Sequence, residues 1–306
     1  MNYLIESLPE TFNYENTNVI KCLYEIKKED VNKDVKIYEN ISNIEGCIKS
    51  VSIYKEYNKI ETIKNGIYRF KKKGKYLIYY TLNDSLKSLD DMFYRCTHLK
   101  KVYMPSLINN KIESINNLFN GCMNLEEINF PKIFNTNNVT DMSNFFYGCH
   151  SLENLNLSSF RTNMVKDMSN MFCKYWSLKK IDLSSFNTEK VRSMRSMFAE
   201  CEKLREIKLS SFKTESVMDL SNMFERCISL QKLDLSSFTT TNVNIMSNMI
   251  KSCRSLKEVN LSLFKFTDNI DIEDMFTGCT LLEKIICKEK LINKEFMKYK
   301  NVKSDN

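Results

Sequence analysis

The sequence predicts an α/β repeat protein, a solenoid with a parallel strand ladder and short helices that follows a small antiparallel β domain. Three observations support this fold class. One phrase recurs about every 26 residues, an earlier region alternates apolar and polar residues, and only six Gly and three Pro are present. A period of about 20–50 residues is typical of stacked repeats. The scarcity of Gly and Pro disfavours a protein built mainly of tight hairpins.

A cysteine marks the end of the most regular part of the repeat. The clearest copies run from Met171 to Leu183, from Met197 to Leu209 and from Met223 to Leu235. Their shared phrase is Met-Phe-x-x-Cys-x-x-Leu-x-x-Leu/Ile-x-Leu-Ser-Ser-Phe-x-Thr-x-x-Val-x-x-Met/Leu, and Tyr175 replaces the cysteine in one copy. The cysteines at this position are Cys96, Cys122, Cys149, Cys201, Cys227, Cys253 and Cys279.

Each part of the phrase predicts one part of a coil. Leu-x-x-Leu-x-Leu is the strand phrase of leucine-rich repeats, and eight such strands start at Leu99, Leu125, Leu152, Leu178, Leu204, Leu230, Leu256 and Leu282. Ser-Ser-Phe-x-Thr predicts a turn whose hydroxyls bind local backbone groups. Ser-Asn-Met-Phe predicts a short helix with Ser as its N-cap and Met, Phe and Cys on its inner side.

The phrase resembles the BspA-type leucine-rich repeat surface proteins over residues 85–287. This resemblance implies a leucine-rich-repeat solenoid. It also implies a location at the cell surface and adhesion to a protein partner, such as a host, matrix or cell-surface protein.

Composition divides the chain into four predicted regions. Residues 1–17 are polar and predict a disordered lead, and residues 18–84 alternate with period two and predict a small β domain that caps the N-terminal end of the array. Asn65-Gly66 and Gly74 are expected at hairpin turns of this domain. Residues 85–287 form the solenoid of about 26-residue repeats, and residues 288–306 form a basic C-terminal tail or cap.

Charge and hydropathy disfavour a polyanion-binding protein and a membrane-spanning protein. The net charge of +7 is modest and both signs are mixed along the chain, which favours solubility over a dedicated polyanion partner. No apolar run approaches the roughly 18 residues that span a bilayer. Met1 to Pro9 show no basic and apolar pattern of a secretory signal, so the sequence as it stands predicts an intracellular chain with reduced thiols.

No residue pattern predicts catalysis, a cofactor or a metal. The cysteines lie in a row, whereas zinc needs four converging ligands, so they are expected to be buried thiols. Cys173 lies outside this row on the outward side of the predicted helix, which makes it the expected reactive thiol. His98 and His150 lie two repeats apart and cannot share an acid, so no nucleophile with a base is predicted. We therefore expect a protein that is not an enzyme.

The outward positions of the strands predict the candidate partner-binding face. One column alternates in sign from Lys180 onward, and neighbouring opposite charges on a sheet contribute about 0.2–1 kcal/mol per pair. A second column carries amides and mixed charges, which suit a protein surface better than a phosphate backbone. The predicted face comprises Lys180, Asp182, Glu206, Lys208, Lys232, Asp234, Glu258 and Asn260.

Several functions remain open at this point. The leading hypothesis is a non-catalytic protein-binding, adhesion or scaffold module that uses this strand face. The alternative is association with nucleic acid or an anionic surface through Lys71–Lys75 and the C-terminal tail. End-to-end self-association of the array is a further hypothesis, so the oligomeric state stays open. No small-molecule substrate is expected.

Overall fold

A computed structural model describes residues 18–39, 48–55, 58–63, 66–107, 111–267, 269–287 and 303–304. The strands in order are β1 (Val19–Ile26), β2 (Asp34–Lys36), β3 (Ile48–Lys55), β4 (Asn58–Ile63), β5 (Ile67–Arg69), β6 (Gly74–Leu82), β7 (Leu99–Tyr103), β8 (Glu127–Asn129), β9 (Lys180–Asp182), β10 (Glu206–Lys208), β11 (Lys232–Asp234), β12 (Glu258–Asn260), β13 (Lys284–Ile286) and β14 (Lys303–Ser304). The predicted lead at residues 1–17 and most of the predicted tail lie outside these ranges.

The antiparallel strands near the N-terminus continue directly into the repeats. Their sheet has the order β4-β3-β6-β1-β7-β8. β1 pairs antiparallel with both β6 and β7, so the first repeat strand is hydrogen-bonded to the preceding region. The alternation in β1 and β6 therefore places side chains such as Ile20, Tyr24 and Ile78 in one core with the repeats.

The two hairpins predicted for this region are wrong. Asn65 itself lies outside the described residues, but the strands on either side, β4 and β5, belong to different sheets. Gly74 lies between β5, which pairs with β2, and β6, which pairs with β1 and β3. Packing against the first repeat decides these pairings, because β6 buries alternate residues along its length and a local turn signal does not encode that contact.

The repeats form a solenoid with parallel strand ladders, which confirms the predicted repeat architecture. Seven parallel bridges run in one unbroken series along the coils, through Ser88, Ser114, Asp141, Asp167, Ser193, Asp219, Ile245 and Asp271. The ladder of leucine-rich strands is instead interrupted. β7 pairs with β8, β9 with β10, β11 with β12, and β12 with β13, while the expected strand after Leu152 is absent.

The core is built from side chains that repeat at each coil. The Phe of the Met-Phe pair forms a stack along the axis, with parallel rings 5.3 Å apart between Phe172 and Phe198 and 5.5 Å apart between Phe198 and Phe224. The Leu, Val and Met positions of the phrase are also buried. One continuous apolar core therefore joins coils that could not bury their own side chains alone.

The predicted short helices are absent, and the described residues contain only one 3-10 helix, Lys28–Asp30. Two residues per coil have a left-handed backbone, such as Asn170 at φ 56° and Lys174 at φ 58°. This conformation ends a right-handed helix. Gly121 and Gly148 occupy the second of these positions in earlier coils, where a positive φ suits glycine.

Backbone hydrogen bonds at this corner alternate between neighbouring coils and the local turn. The N–H groups of Asn170, Phe172 and Lys174 donate to carbonyls of the next coil at 2.8–2.9 Å. The N–H groups between them donate three residues back, as Cys173 does to Asn170 at 3.0 Å. Stacking therefore uses the backbone groups that a helix would have used internally.

Buried threonines join the coils on another side, which corrects the prediction that turn hydroxyls bind local groups. Thr188 Oγ1 donates to the carbonyl of Lys213 at 2.7 Å and accepts from the N–H of the same residue at 2.8 Å. Thr162, Thr214 and Thr240 repeat this pair of bonds with the following coil. These hydroxyls are fully buried. Their hydrogen bonds connect neighbouring coils in addition to the short strand ladders.

The cysteine row is buried as predicted, and from Cys122 onward each thiol donates to a backbone carbonyl. The Cys201 Sγ donates to the Phe172 carbonyl at 3.0 Å, and Cys227 and Cys253 do the same with the preceding coil. The ten cysteines that the structure describes are all buried. Burial raises the pKa of Cys201 and of Cys227. Within the described ranges, no helix is long and apolar enough to cross a membrane.

Candidate partner-binding site

Short strands place the eight predicted face residues at the surface. In β9 and β11 the central residue, Ile181 or Leu233, is buried while the two flanking residues are exposed. The period-two backbone therefore presents two outward side chains per strand. Along β9 to β12 these are Lys180, Asp182, Glu206, Lys208, Lys232, Asp234, Glu258 and Asn260.

The first half of this face is paired within itself. Lys180 and Glu206 are register neighbours, with Nζ and Oε1 2.5 Å apart. Asp182 and Lys208 are the next neighbours, with Nζ and Oδ2 2.6 Å apart. The Lys208 ammonium, and then the Ser184 hydroxyl and N–H, hold the pKa of Asp182 well below its usual range. In return, Asp182 raises the pKa of Lys208.

The second half of the face is paired less completely. Lys232 lies opposite Glu258, and Asp234 lies opposite Asn260. Asp234 Oδ1 accepts the N–H of Ser236 at 3.0 Å, and Asn260 Oδ1 accepts that of Ser262 at 3.1 Å. Among the described residues, Lys232 makes no ion pair within 4.0 Å, so its charge is turned toward solvent.

A groove of about 840 Å³ opens on this face. Its lining comes from both sides of the interruption between β10 and β11: Leu155, Lys180, Ile181, Asp182, Arg205, Glu206, Ile207, Lys208, Ser229, Gln231, Lys232 and Asp234. Six of the eight predicted face residues are in this lining, whereas Glu258 and Asn260 are not. The structure therefore brings most of the predicted set together around one depression.

Sequence reasoning missed the groove and several residues that form it. Leu155 and Ile207 are only partly buried, although the repeat pattern assigns both to the core. Arg205 and Gln231 precede the predicted outward positions by one residue and are exposed. No sequence signal identifies this site, because the coils on either side of the interruption carry the same phrase.

Cys173 is not the reactive surface thiol that the helical pattern predicted. Its side chain is buried, with 6% relative exposure. Burial raises the pKa of Cys173 to about 12, and the carboxylate of Glu200 adds to this shift. The prediction was wrong because the segment is a turn, in which the Cys173 N–H bonds to the Asn170 carbonyl, and not the helix whose outer side the prediction assumed. No cluster of three or more metal-ligating side chains occurs in the part of the chain that the structure describes.

The two histidines contact separate regions of the molecule. His98 Nε2 lies 3.2 Å from Asp30 Oδ2, which joins the residue before β7 to the 3-10 helix Lys28–Asp30. The His150 ring stacks on Trp176 with centroids 3.8 Å apart. Burial, and then the charge of Lys174, lowers the pKa of His150.

The basic run Lys71–Lys75 lies in the turn between β5 and β6 and extends into the start of β6. Its four lysines are exposed. Backbone carbonyls of the turn are occupied: Tyr76 donates its hydroxyl to the Lys72 carbonyl at 2.6 Å, and Lys55 Nζ donates to the Lys73 carbonyl at 3.4 Å. These hydrogen bonds make the basic run part of the structure of the turn.

Comparison with known proteins identifies a family. A family described as "Mycoplasma protein of unknown function, DUF285" matches residues 87–181 and 174–288, which together exceed half of the chain. No curated protein matches the sequence. Among solved structures, a leucine-rich repeat protein from Bacteroides ovatus matches at 18% sequence identity with a TM-score of 0.36. The match covers 74% of this chain and 61% of that protein, so this chain spans less than two thirds of its length. The coils described above therefore lie within the matched region, and the chain belongs to the DUF285 family of Mycoplasma proteins of unknown function.

Proposed function

We propose that this protein is a non-catalytic scaffold that binds another protein through the strand face of its solenoid. The observation that carries this proposal is the ordered set of charged side chains on β9 to β12, held at strand spacing, with those of β9 to β11 around a groove. Strands fix the positions of these groups before a partner arrives, so little side-chain order has to be gained on binding.

The charges on the face favour a protein partner over a nucleic acid. Lys180, Lys208 and Lys232 alternate with Glu206, Asp182 and Asp234 across neighbouring strands. Such a mixed pattern supplies partner selection and register through complementary potentials. A phosphate backbone is best matched by a stripe of one sign. No observation in the described residues favours the nucleic-acid alternative, which stays a prediction.

The resemblance to BspA-type surface proteins extends the proposal to the kind of partner. It supports adhesion at the cell surface to a host, matrix or cell-surface protein. The buried cysteine row is compatible with a location at the cell surface or inside the cell, because none of the described cysteines forms a disulfide.

Site-specific photocrosslinking tests the proposed face. A photoreactive amino acid replaces Glu258 on the strand face or, as the control, Glu215, which is exposed on the turn after Phe212. In cells that make the protein, we expect a defined crosslinked partner from position 258 and none from position 215.

Charge reversal supplies the second part of this test. Lys180→Glu combined with Lys232→Glu is expected to abolish the crosslink, whereas a Lys213→Glu variant on the turn is expected to retain it. Equal crosslinking from positions 258 and 215, or no effect of the strand-face reversal, would refute the proposed function.

A further inference from the structure

The groove lies where the strand ladder is interrupted. β9 and β10 form one two-stranded sheet, and β11 begins the next sheet with β12. β10 and β11 carry the same phrase as their neighbours, yet they do not pair with each other. The lining residues come from β9 and β10 on one side and from β11 on the other.

Part of the core is exposed as an apolar surface in the groove. Leu155, Ile181 and Ile207 line the groove, and Leu155 and Ile207 are only partly buried. Neighbouring positions that follow the same phrase, such as Leu233 and Val259, are 1% and 0% exposed. A groove of about 840 Å³ also falls in the range of roughly 300–1,000 Å³ that is typical of ligand sites.

The charged groups around this apolar surface are not equally available. Lys180 is paired with Glu206, and Lys208 is paired with Asp182. Asp234 accepts a backbone N–H within its own turn. Arg205 and Lys232 are exposed and make no ion pair within the described part of the chain. Asp234 makes no ion pair in this part of the chain either, so the unpaired charged groups of the groove are two cations and one anion, with a net positive charge beside the aliphatic surface.

We propose that the groove binds an extended acidic segment of a partner protein. An aliphatic side chain of that segment contacts Leu155, Ile181 and Ile207, and its carboxylates bind Arg205 and Lys232. Arginine suits this role because its guanidinium can bind a carboxylate through two parallel hydrogen bonds. This inference rests on the proposed scaffold function and names the chemistry of the partner at that face.

Charge complementarity decides against other occupants. A basic segment would place its cations beside Arg205 and Lys232, and like charges at close range disfavour association. A nucleic-acid strand offers no aliphatic side chain for Leu155, Ile181 and Ile207, and its continuous phosphates match a stripe of one sign better than this mixed lining. An acidic segment with aliphatic side chains satisfies both the unpaired cations and the apolar surface.

Selection from a displayed library of random 12-residue peptides tests the proposal with the full chain. Peptides enriched on the unmodified protein are expected to combine Asp or Glu with Leu, Ile or Val. The Arg205→Glu/Lys232→Glu variant is expected to weaken their binding at least about ten-fold, and higher salt is expected to weaken it further. The matched control is Lys203→Glu/Lys257→Glu, which changes the same net charge at exposed lysines outside the groove.

Two more variants separate charge and apolar contact from loss of fold. Arg205→Lys/Lys232→Arg keeps both charges and is expected to retain binding within a few-fold. Ile207→Ser removes apolar contact and is expected to weaken binding, and thermal unfolding of each variant establishes that the coils remain folded.

Any other outcome would contradict the inference, and each one indicates a different alternative. Enriched peptides that are basic, or that bind the Arg205→Glu/Lys232→Glu variant as well as the unmodified protein, exclude an acidic occupant. If Glu258→Lys weakens such peptides while the Arg205→Glu/Lys232→Glu variant does not, the proposed strand-face function survives without this site. Enriched peptides that match residues 3–10 of this chain would assign the groove to its own N-terminal segment. If no peptide is enriched, the inference fails, and the crosslink from position 258 independently decides whether the scaffold function fails with it.

Discussion

Single buried polar atoms set much of the specificity of the stacking. From Cys122 onward the cysteines of the row donate to a carbonyl of the preceding coil, and the buried threonines exchange two bonds with the following coil. Tyr175 is the exception in the cysteine row. Its ring fills the position, but its buried hydroxyl has no hydrogen-bond partner among the described residues. A buried polar group without a partner costs roughly 1–3 kcal/mol.

Tyr175→Phe is therefore expected to leave the protein as stable or to stabilise it by up to about 2 kcal/mol, because it removes the unpartnered hydroxyl and keeps the ring. The matched control is Tyr24→Phe, since the Tyr24 hydroxyl is also buried but donates to the Ile37 carbonyl at 2.6 Å. We expect Tyr24→Phe to destabilise by about 1 kcal/mol. Urea unfolding measures both; a greater loss for Tyr175→Phe than for Tyr24→Phe would contradict the assignment.

Thr188→Val tests the bonds between coils. Valine keeps the shape of threonine but leaves the N–H and carbonyl of Lys213 without their partner. We expect a loss of about 2–4 kcal/mol. Thr188→Ser retains the hydroxyl and loses one methyl group, so about 1 kcal/mol is expected. Unfolding midpoints that are equal for the two variants would show that the hydroxyl does not connect the coils.

At the scale of one coil, left-handed residues and short side-chain turns replace the helix. The spacing of Met, Phe and Cys was correctly assigned to the inside of the coil, and these residues are buried. The same spacing also suits a helix face, so the pattern could not exclude one. Asn170 and Lys174 decide the outcome through their positive φ, and that conformation is favoured by hydrogen bonds to the next coil. A single-repeat pattern does not contain those bonds.

Ile245 interrupts a column of turn-forming residues and gives a prediction for this element. At the equivalent place, Asp219 Oδ1 accepts the N–H of Ser221 at 2.8 Å, whereas the Ile245 side chain is 40% exposed. Ile245→Asn supplies the acceptor without adding a charge between Asp219 and Asp271. We expect it to be more stable than the control Ile245→Ala by about 0.5–1.5 kcal/mol in thermal or urea unfolding. Equal stability would argue against the side-chain turn.

The β9–β10 pair gives a pH-dependent prediction. Lys208 lowers the pKa of Asp182 in the folded protein relative to the unfolded chain, so this pair adds stability above the unfolded pKa of about 3.9. That stability is lost as the pH falls through the lower folded pKa. Lys208→Met is expected to raise the Asp182 pKa toward about 3.9, while Lys208→Arg keeps it low. Carboxyl NMR titration measures the value; an unchanged pKa in Lys208→Met would exclude the pair as its cause.

Across the whole molecule, the coils depend on their neighbours for both core and hydrogen bonds. The N-terminal sheet joins the first coil through β1 and β7, and the bridge series then runs through every later coil to Asp271. The predicted role of residues 18–84 as an N-terminal cap stays a proposal, which this pairing supports. Opening of the array should therefore be cooperative, and buried groups along it should become accessible together.

Thiol labelling measures this cooperativity. In a Cys47→Ser chain, the ten remaining cysteines are buried, and their reaction with a thiol reagent at pH 8 is expected to be slow and to follow unfolding. Cys279 is expected to react first, because it lies in the last coil with 6% relative exposure, whereas the other cysteines of the row are 0% exposed, and because its interaction with Cys253 lowers its pKa. Cys279→Ser should remove that fastest phase. Immediate reaction of all thiols in the native protein would contradict the buried row.

The sequence by itself determined the repeat period, the inward positions and the outward charged columns, because each coil must bury the same side chains at the same spacing. Only the tertiary structure decided three other features. They are the turn in place of a helix at the corner of each coil, the pairing of the N-terminal strands, and the interruption between β10 and β11. These features arise from contacts between residues about 25 positions or more apart, such as Thr188 with Lys213. Local propensity does not encode such contacts. Coils with the same repeat phrase therefore form paired strands in one place and border a groove in another.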